Sequence, residues 1–190
     1  MVRRWLTAGL TLVLISGCGA PTEPASGDPV AAAEVLAQVN AHNDTDVTFV
    51  RDMIVHHAQG VELADLVPAR TPTPAVRDLA ALIDRQQGVE IDQLRGQLTS
   101  WDLEPAGSPM SMGMAGMASP DTLARLRDIR GAEFDRLWLQ TMIGHHEGAV
   151  TMARAELDDG VQRGARNTAQ NVIAVQQTQI DTMKGLLLAR

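Results

Sequence analysis

The pattern Met-x-x-His-His occurs twice in this 190-residue sequence, as Met53, His56 and His57 and again as Met142, His145 and His146. On a helix, positions i, i+3 and i+4 share one face, so each thioether should stand beside two imidazoles. Asp46 and Asp135 fall two turns earlier on the same sides, where a carboxylate can orient a ligand from behind. Imidazole suits copper, zinc, iron and nickel, and thioether sulfur selects soft Cu(I). If the two copies face each other, four imidazoles and two thioethers meet in one place. The competing reading makes Met53 and Met142 core filler, with one histidine of each pair hydrogen-bonding across the helices.

A second soft-ligand candidate is Met110-Ser-Met112-Gly-Met114-Ala-Gly-Met117, four thioethers spaced by small residues. In an oxidising compartment without thiols, methionine is the available soft ligand for Cu(I). The alternative is a linker that merely uses methionine. A flexible strip loses conformational entropy on binding, so it should bind more weakly than ligands on rigid helices. Imidazoles must be neutral to coordinate, so binding at the histidines is expected to weaken as pH falls through about 6.5. Gln87 and Gln176 fall on apolar stripes and are expected to make buried hydrogen bonds between helices, including to the histidines. A di-iron carboxylate centre would need Glu-x-x-His motifs, and the sequence contains none. Nor does it contain a nucleophile elbow, a P-loop or a dinucleotide fingerprint.

The elements that must position these residues come as a duplication. Shifted by 89 residues, the chain matches itself without gaps: Asp46 on Asp135, Met53 on Met142, His56 on His145, His57 on His146, Gln87 on Gln176, Leu98 on Leu187. Fourteen of the 53 positions from 46 to 98 are identical, so each half is one copy of the same supersecondary unit. Apolar residues recur at three- and four-residue spacing from Asp46, are interrupted at Pro68, Pro72 and Pro74, and resume from Val76 to Leu98. The second half repeats this, with its turn at Asp158-Asp159-Gly160. Nothing alternates with period two. The expected fold is all-α: a four-helix bundle of ferritin-like type, built from two duplicated helical hairpins at 44–99 and 131–190. The Met-rich connection, 100–130, exceeds what a tight turn needs and could run the length of the bundle. Short helices are expected at 29–39 and at 120–129, the latter with Ser119 as N-cap and Pro120 at N1.

The first 18 residues read as an address. Arg3 and Arg4 precede an apolar run at 5–15 too short to span a bilayer comfortably. Ile15-Ser16-Gly17-Cys18 then resembles a bacterial lipobox, with Cys18 as the lipidation site. Cys18 is the only cysteine, so no intramolecular disulfide can form. An ordinary cleaved signal peptide is the alternative. Residues 19–43 supply a flexible Pro, Ser, Gly and Thr-rich tether and a short helix, leaving 44–190 as one duplicated domain. Net charge is −7, and −9 without Arg3 and Arg4. An acidic chain with no basic stripe argues against a nucleic-acid partner.

Three stretches together resemble the domain-of-unknown-function 305 family: Asp46 with Met53-Ile54-Val55-His56-His57, Phe134-Asp135 with Met142-Ile143-Gly144-His145-His146-Glu147-Gly148, and Gln176-Gln177-Thr178-Gln179-Ile180 with Met183. The likeness covers residues 43 to 188, with Val55 and Gly144 where the family often has proline. It implies secretion and a ferritin-like helical fold, and the family includes CopM-like proteins implicated in copper binding and tolerance. The expected protein is a lipid-anchored envelope copper sink or chaperone rather than an enzyme, with zinc or another transition metal possible at the same ligands. The alternatives are a metal-dependent oxidase at the His cluster and a structural lipoprotein that binds a protein partner.

Overall fold

The computed structural model describes residues 40–104 and 114–189, and these contain five α-helices and no strand. They are α1 Asp44–Asp65, α2 Pro74–Ser100, α3 Pro120–Asp128, α4 Gly131–Asp159 and α5 Arg163–Leu188, with a 3₁₀ turn at Val67–Ala69. Helix α1 begins at Asp44, the expected start of the first hairpin, because Asn43 caps it in a reciprocal capping box with Asp46. Pro74 opens α2 at its first turn rather than merely breaking the chain, since a missing N–H costs nothing there. Ser119 caps α3 through Thr122 N–H, and Gln162 caps α5 through Ala165 N–H.

The hairpins α1–α2 and α4–α5 pack on each other chiefly through α1 and α4. Those two helices run antiparallel. The Asn43 side chain donates to the Asp159 carbonyl, joining the start of α1 to the end of α4. Gly131 N–H donates to the Arg70 carbonyl, joining the start of α4 to the end of α1. Asn40 donates to Ser100, so α2 ends beside the start of α1. The chain must therefore travel the whole length of the bundle between α2 and α4, as a ferritin-like connection does.

Two apolar clusters fill the interior. One holds Leu63, Val67, Phe134, Trp138 and Met142; the other holds Phe49, Met53, Leu94, Ala149 and Val172. Between them, along α1 and α4, lie the His-His pairs. No helix among the described residues is long and apolar enough to cross a membrane. Cys18, the tether, the expected helix at 29–39, Met110 and Met112 lie outside the described residues.

Candidate metal centre

All four imidazoles are fully buried. His56 on α1 and His145 on α4 lie with ring centroids 3.9 Å apart and planes tilted by 36°. His145 and His146 are 6.1 Å apart, centroid to centroid. Each ring presents Nε2 to an oxygen. His56 Nε2–H donates to the Ala115 carbonyl at 3.1 Å and His145 Nε2–H to the His56 carbonyl at 3.0 Å. His57 faces the Glu90 carboxylate at 2.7 Å, and His146 faces Gln179 Oε1 at 2.7 Å. Gln179 donates its amide nitrogen to Gln86 Oε1, which fixes its oxygen toward the ring. A carbonyl can only accept, so the proton sits on Nε2 and the lone pair on Nδ1. All four Nδ1 atoms are buried with no hydrogen-bond partner.

Burial, the leading cause, keeps the rings of His56, His145 and His146 neutral. It lowers His56 to about 3, with His57 nearby adding to the effect. It lowers His146 to about 4 against the opposing effect of its hydrogen bond to Gln179 Oε1. His145 is held well below 6.5 by burial and by the imidazoles of His56 and His146. A neutral ring with Nε2–H on an oxygen and a bare Nδ1 is the arrangement a metal-ligating histidine adopts. The residues present therefore fit a metal ion, and they fit some ions better than others. Among the described residues, no three His, Cys, Asp or Glu side chains are disposed to hold one ion together. A soft ion served by fewer imidazoles, with thioethers available, matches the donor set.

The end of the Met-rich connection closes over this layer. Gln59 on α1 grips it twice, accepting Ala118 N–H at 2.7 Å and donating to the Ala118 carbonyl at 3.1 Å. Gly116 adopts φ +80°, a conformation that glycine tolerates, and its Cα lies against the backbone of α4 at Gly144, His145 and Gly148. A Cβ on Gly148 would overlap the Ala115 carbonyl. The strap at 114–118 thus rests backbone on backbone across α4, with Met114 and Met117 half-buried along it.

Met53 and Met142 are both fully buried, one in each apolar cluster. Asp46 and Asp135 are not partners of the imidazoles. Asp46 accepts N–H from Asn43, Val161 and Gln162, and Asp135 accepts from the Thr73 hydroxyl at 2.7 Å. Each therefore holds the turn of the opposite hairpin. Ten residues of helix, about 15 Å, separate Asp46 from His56. The amides of Gln87 and Gln176 are buried but make no hydrogen bond. Gln87 packs on Gly60 instead, and the residues that hold His57 and His146 are Glu90 and Gln179. A signal for that pair was present: each stands 33 residues after its histidine.

The profile of a family described as Domain of unknown function (DUF305) matches residues 46–187. The chain belongs to the DUF305 family. It is similar to a DUF305 protein from Streptomyces coelicolor, with 33% identity and a TM-score of 0.72 over 76% of this chain and 93% of that one. A DUF305 fragment from Deinococcus radiodurans is also 33% identical, with a TM-score of 0.72 over 78% of this chain and 98% of that one. CopM in its Cu(I)-bound form shares the DUF305 fold at 24% identity and a TM-score of 0.67, over 77% of this chain and 98% of that one. No curated protein matches the chain.

Proposed function

We propose that this DUF305 protein binds copper as Cu(I) outside the cytoplasm, as a sink or chaperone without catalysis. One observation carries the reading: four buried imidazoles direct Nε2–H at oxygens and leave Nδ1 bare. Four orphaned nitrogens in one layer of a core are costly unless something uses them. Met53 and Met142 on the same helices, and Met114 and Met117 on the strap, supply thioethers suited to Cu(I). CopM, which shares the fold, has structures bound to Cu(I) and Cu(II). The leader sequence supports export, and Cys18 in its lipobox-like setting supports a lipid anchor in the bacterial envelope.

When bound, copper would supply only its affinity for nitrogen and sulfur. The chain's own part is to hold His56, His145 and His146 neutral, orient the four rings through Ala115, His56, Glu90 and Gln179, and exclude water. The test is an anaerobic Cu(I) competition titration on three proteins: the parent, one with His56, His57, His145 and His146 replaced by Ala, and one with Met110, Met112, Met114 and Met117 replaced by Leu. Both replacements should lower affinity or stoichiometry. If neither does, copper is the wrong reading. If only the Met set matters, the histidines are structural.

A further inference from the structure

We propose that Glu90 fixes the charge of this centre at one negative unit and thereby selects a monovalent soft ion over a divalent one; the inference rests on the copper reading above. His57 and His146 are mates in the 89-residue repeat, and so are Glu90 and Gln179. Both partners take the same position against their ring, at 2.7 Å. The geometry is repeated and the charge is not. The other two rings donate to backbone carbonyls, of Ala115 and His56. Of four oxygen acceptors around the imidazoles, one is a carboxylate.

The remaining donors add no charge. Imidazoles ligate as neutral groups, and thioethers are uncharged. Glu90's side chain is 12% exposed, so solvent screens it weakly. Its second oxygen accepts from Asn171 on α5 at 3.0 Å, which holds the carboxylate in place. Glu147, beside His146 in sequence, is exposed and paired with Lys184. Asp46 and Asp135 give their oxygens to the turns at the bundle ends. A monovalent cation in this layer would be matched by Glu90 alone. A divalent cation would leave one positive charge unmatched in a low-dielectric interior, which is unfavourable. Glutamine at 179 keeps the second imidazole oriented while withholding the second negative charge.

The experiment measures the affinities of the full chain for Ag(I), a monovalent soft probe, and for Zn(II), by competition titration. The proteins are the parent, Glu90→Gln and Gln179→Glu, with helix content checked by circular dichroism. Glu90→Gln should lower Ag(I) affinity by about tenfold or more, the usual cost of losing a group behind a ligand. Gln179→Glu should raise Zn(II) affinity relative to Ag(I) by about tenfold. An Ag(I)-to-Zn(II) ratio unchanged in both variants overturns the proposal while leaving the copper reading intact. Gln179→Glu keeps an oxygen toward His146 but gives up the amide donated to Gln86, so it is read once its helix content matches the parent's, and it then decides the matter even if Glu90→Gln misfolds. A parent that binds neither ion overturns the copper reading and this inference together.

Discussion

His145 donates its Nε2–H to the backbone carbonyl of His56, its own mate in the repeat, at 3.0 Å. Two-fold symmetry would have His56 donate to the carbonyl of His145 in return. It donates instead to Ala115, because the strap occupies that place. The connection between the repeats has been drawn into the symmetric layer, where it replaces one of two equivalent hydrogen bonds. Met114 and Met117 lie on the same strap that supplies the Ala115 carbonyl to His56.

The strap's fit against α4 depends on Gly148 and not on Gly144, although the two lie one turn apart. A Cβ at 148 would meet the Ala115 backbone, which cannot rotate away, whereas a Cβ at 144 meets open space. Gly148→Ala should destabilise the chain by about 1–3 kcal/mol and expose the strap to protease. Gly144→Ala should be neutral or stabilising by about 0.5–1 kcal/mol. Urea melts and limited proteolysis mapped around residue 115 check both, and equal behaviour of the two variants would refute the backbone contact.

Asp46 satisfies three backbone N–H groups, two of them in the turn before α5. Asp46→Ala should cost about 3 kcal/mol, since buried donors are left without acceptors. Ag(I) affinity in the folded variant should be unchanged, because the carboxylate does not touch the imidazoles. A large drop in affinity with stability intact would return Asp46 to the metal site.

Stability should fall with acid in a defined window. The folded chain holds His56 at about 3 and His146 at about 4, and it also holds His145 low. The unfolded chain protonates them near 6.5. Above that pH neither state takes the protons and their contribution is complete. As pH falls toward 4, the unfolded state binds protons that the folded state refuses. Each ring then removes up to about 1.4 kcal/mol per pH unit. Were a metal to bind at these nitrogens, proton competition would move to the same low range, below the 6.5 of unperturbed histidine.

Glu156 works in the opposite sense. Burial first, then the neighbouring Asp46, raises its carboxyl to about 8. Its contribution is complete below about 4.5 and is lost as pH rises toward 8. Glu156→Gln should therefore be more stable than the parent at pH 8 and equal to it near pH 4. Urea melts across pH 4–9 read both effects. A profile flat below pH 6.5 would show the imidazoles to be accessible to protons.

Cys18 ends a lipobox-like stretch. Replacing it with Ala should move the protein from the membrane fraction or leave the leader uncleaved. Unchanged partition and processing on cell fractionation would leave the leader as an ordinary signal peptide.

The two hairpins were legible because apolar spacing and the 89-residue repeat both survive in the sequence, from Met53 and Met142 to Leu98 and Leu187. The burial of all four histidines followed from their place on those stripes. The partners of the rings were less legible. Gln87 and Gln176 are identical in both halves and stand on the apolar stripes, whereas the actual partners, Glu90 and Gln179, differ between the halves, so the repeat does not point to them. Position along a stripe fixes which face a residue takes, but the tilt between packed helices decides which of two adjacent polar residues reaches across. Asp46 and Asp135 were placed beside the histidines for sharing their face. Their real partners, Gln162 and Thr73, belong to the other hairpin's turn, and no local spacing encodes that exchange.

That exchange at the bundle ends bears on how the chain could be taken apart. Asp46 of the first hairpin completes the turn of the second, and Asp135 of the second completes the turn of the first. Neither half satisfies its own turn alone, and each carries what the other lacks. The two hairpins, made as separate polypeptides, should find each other and rebuild the bundle. In that sense the molecule is a heterodimer whose subunits share one backbone.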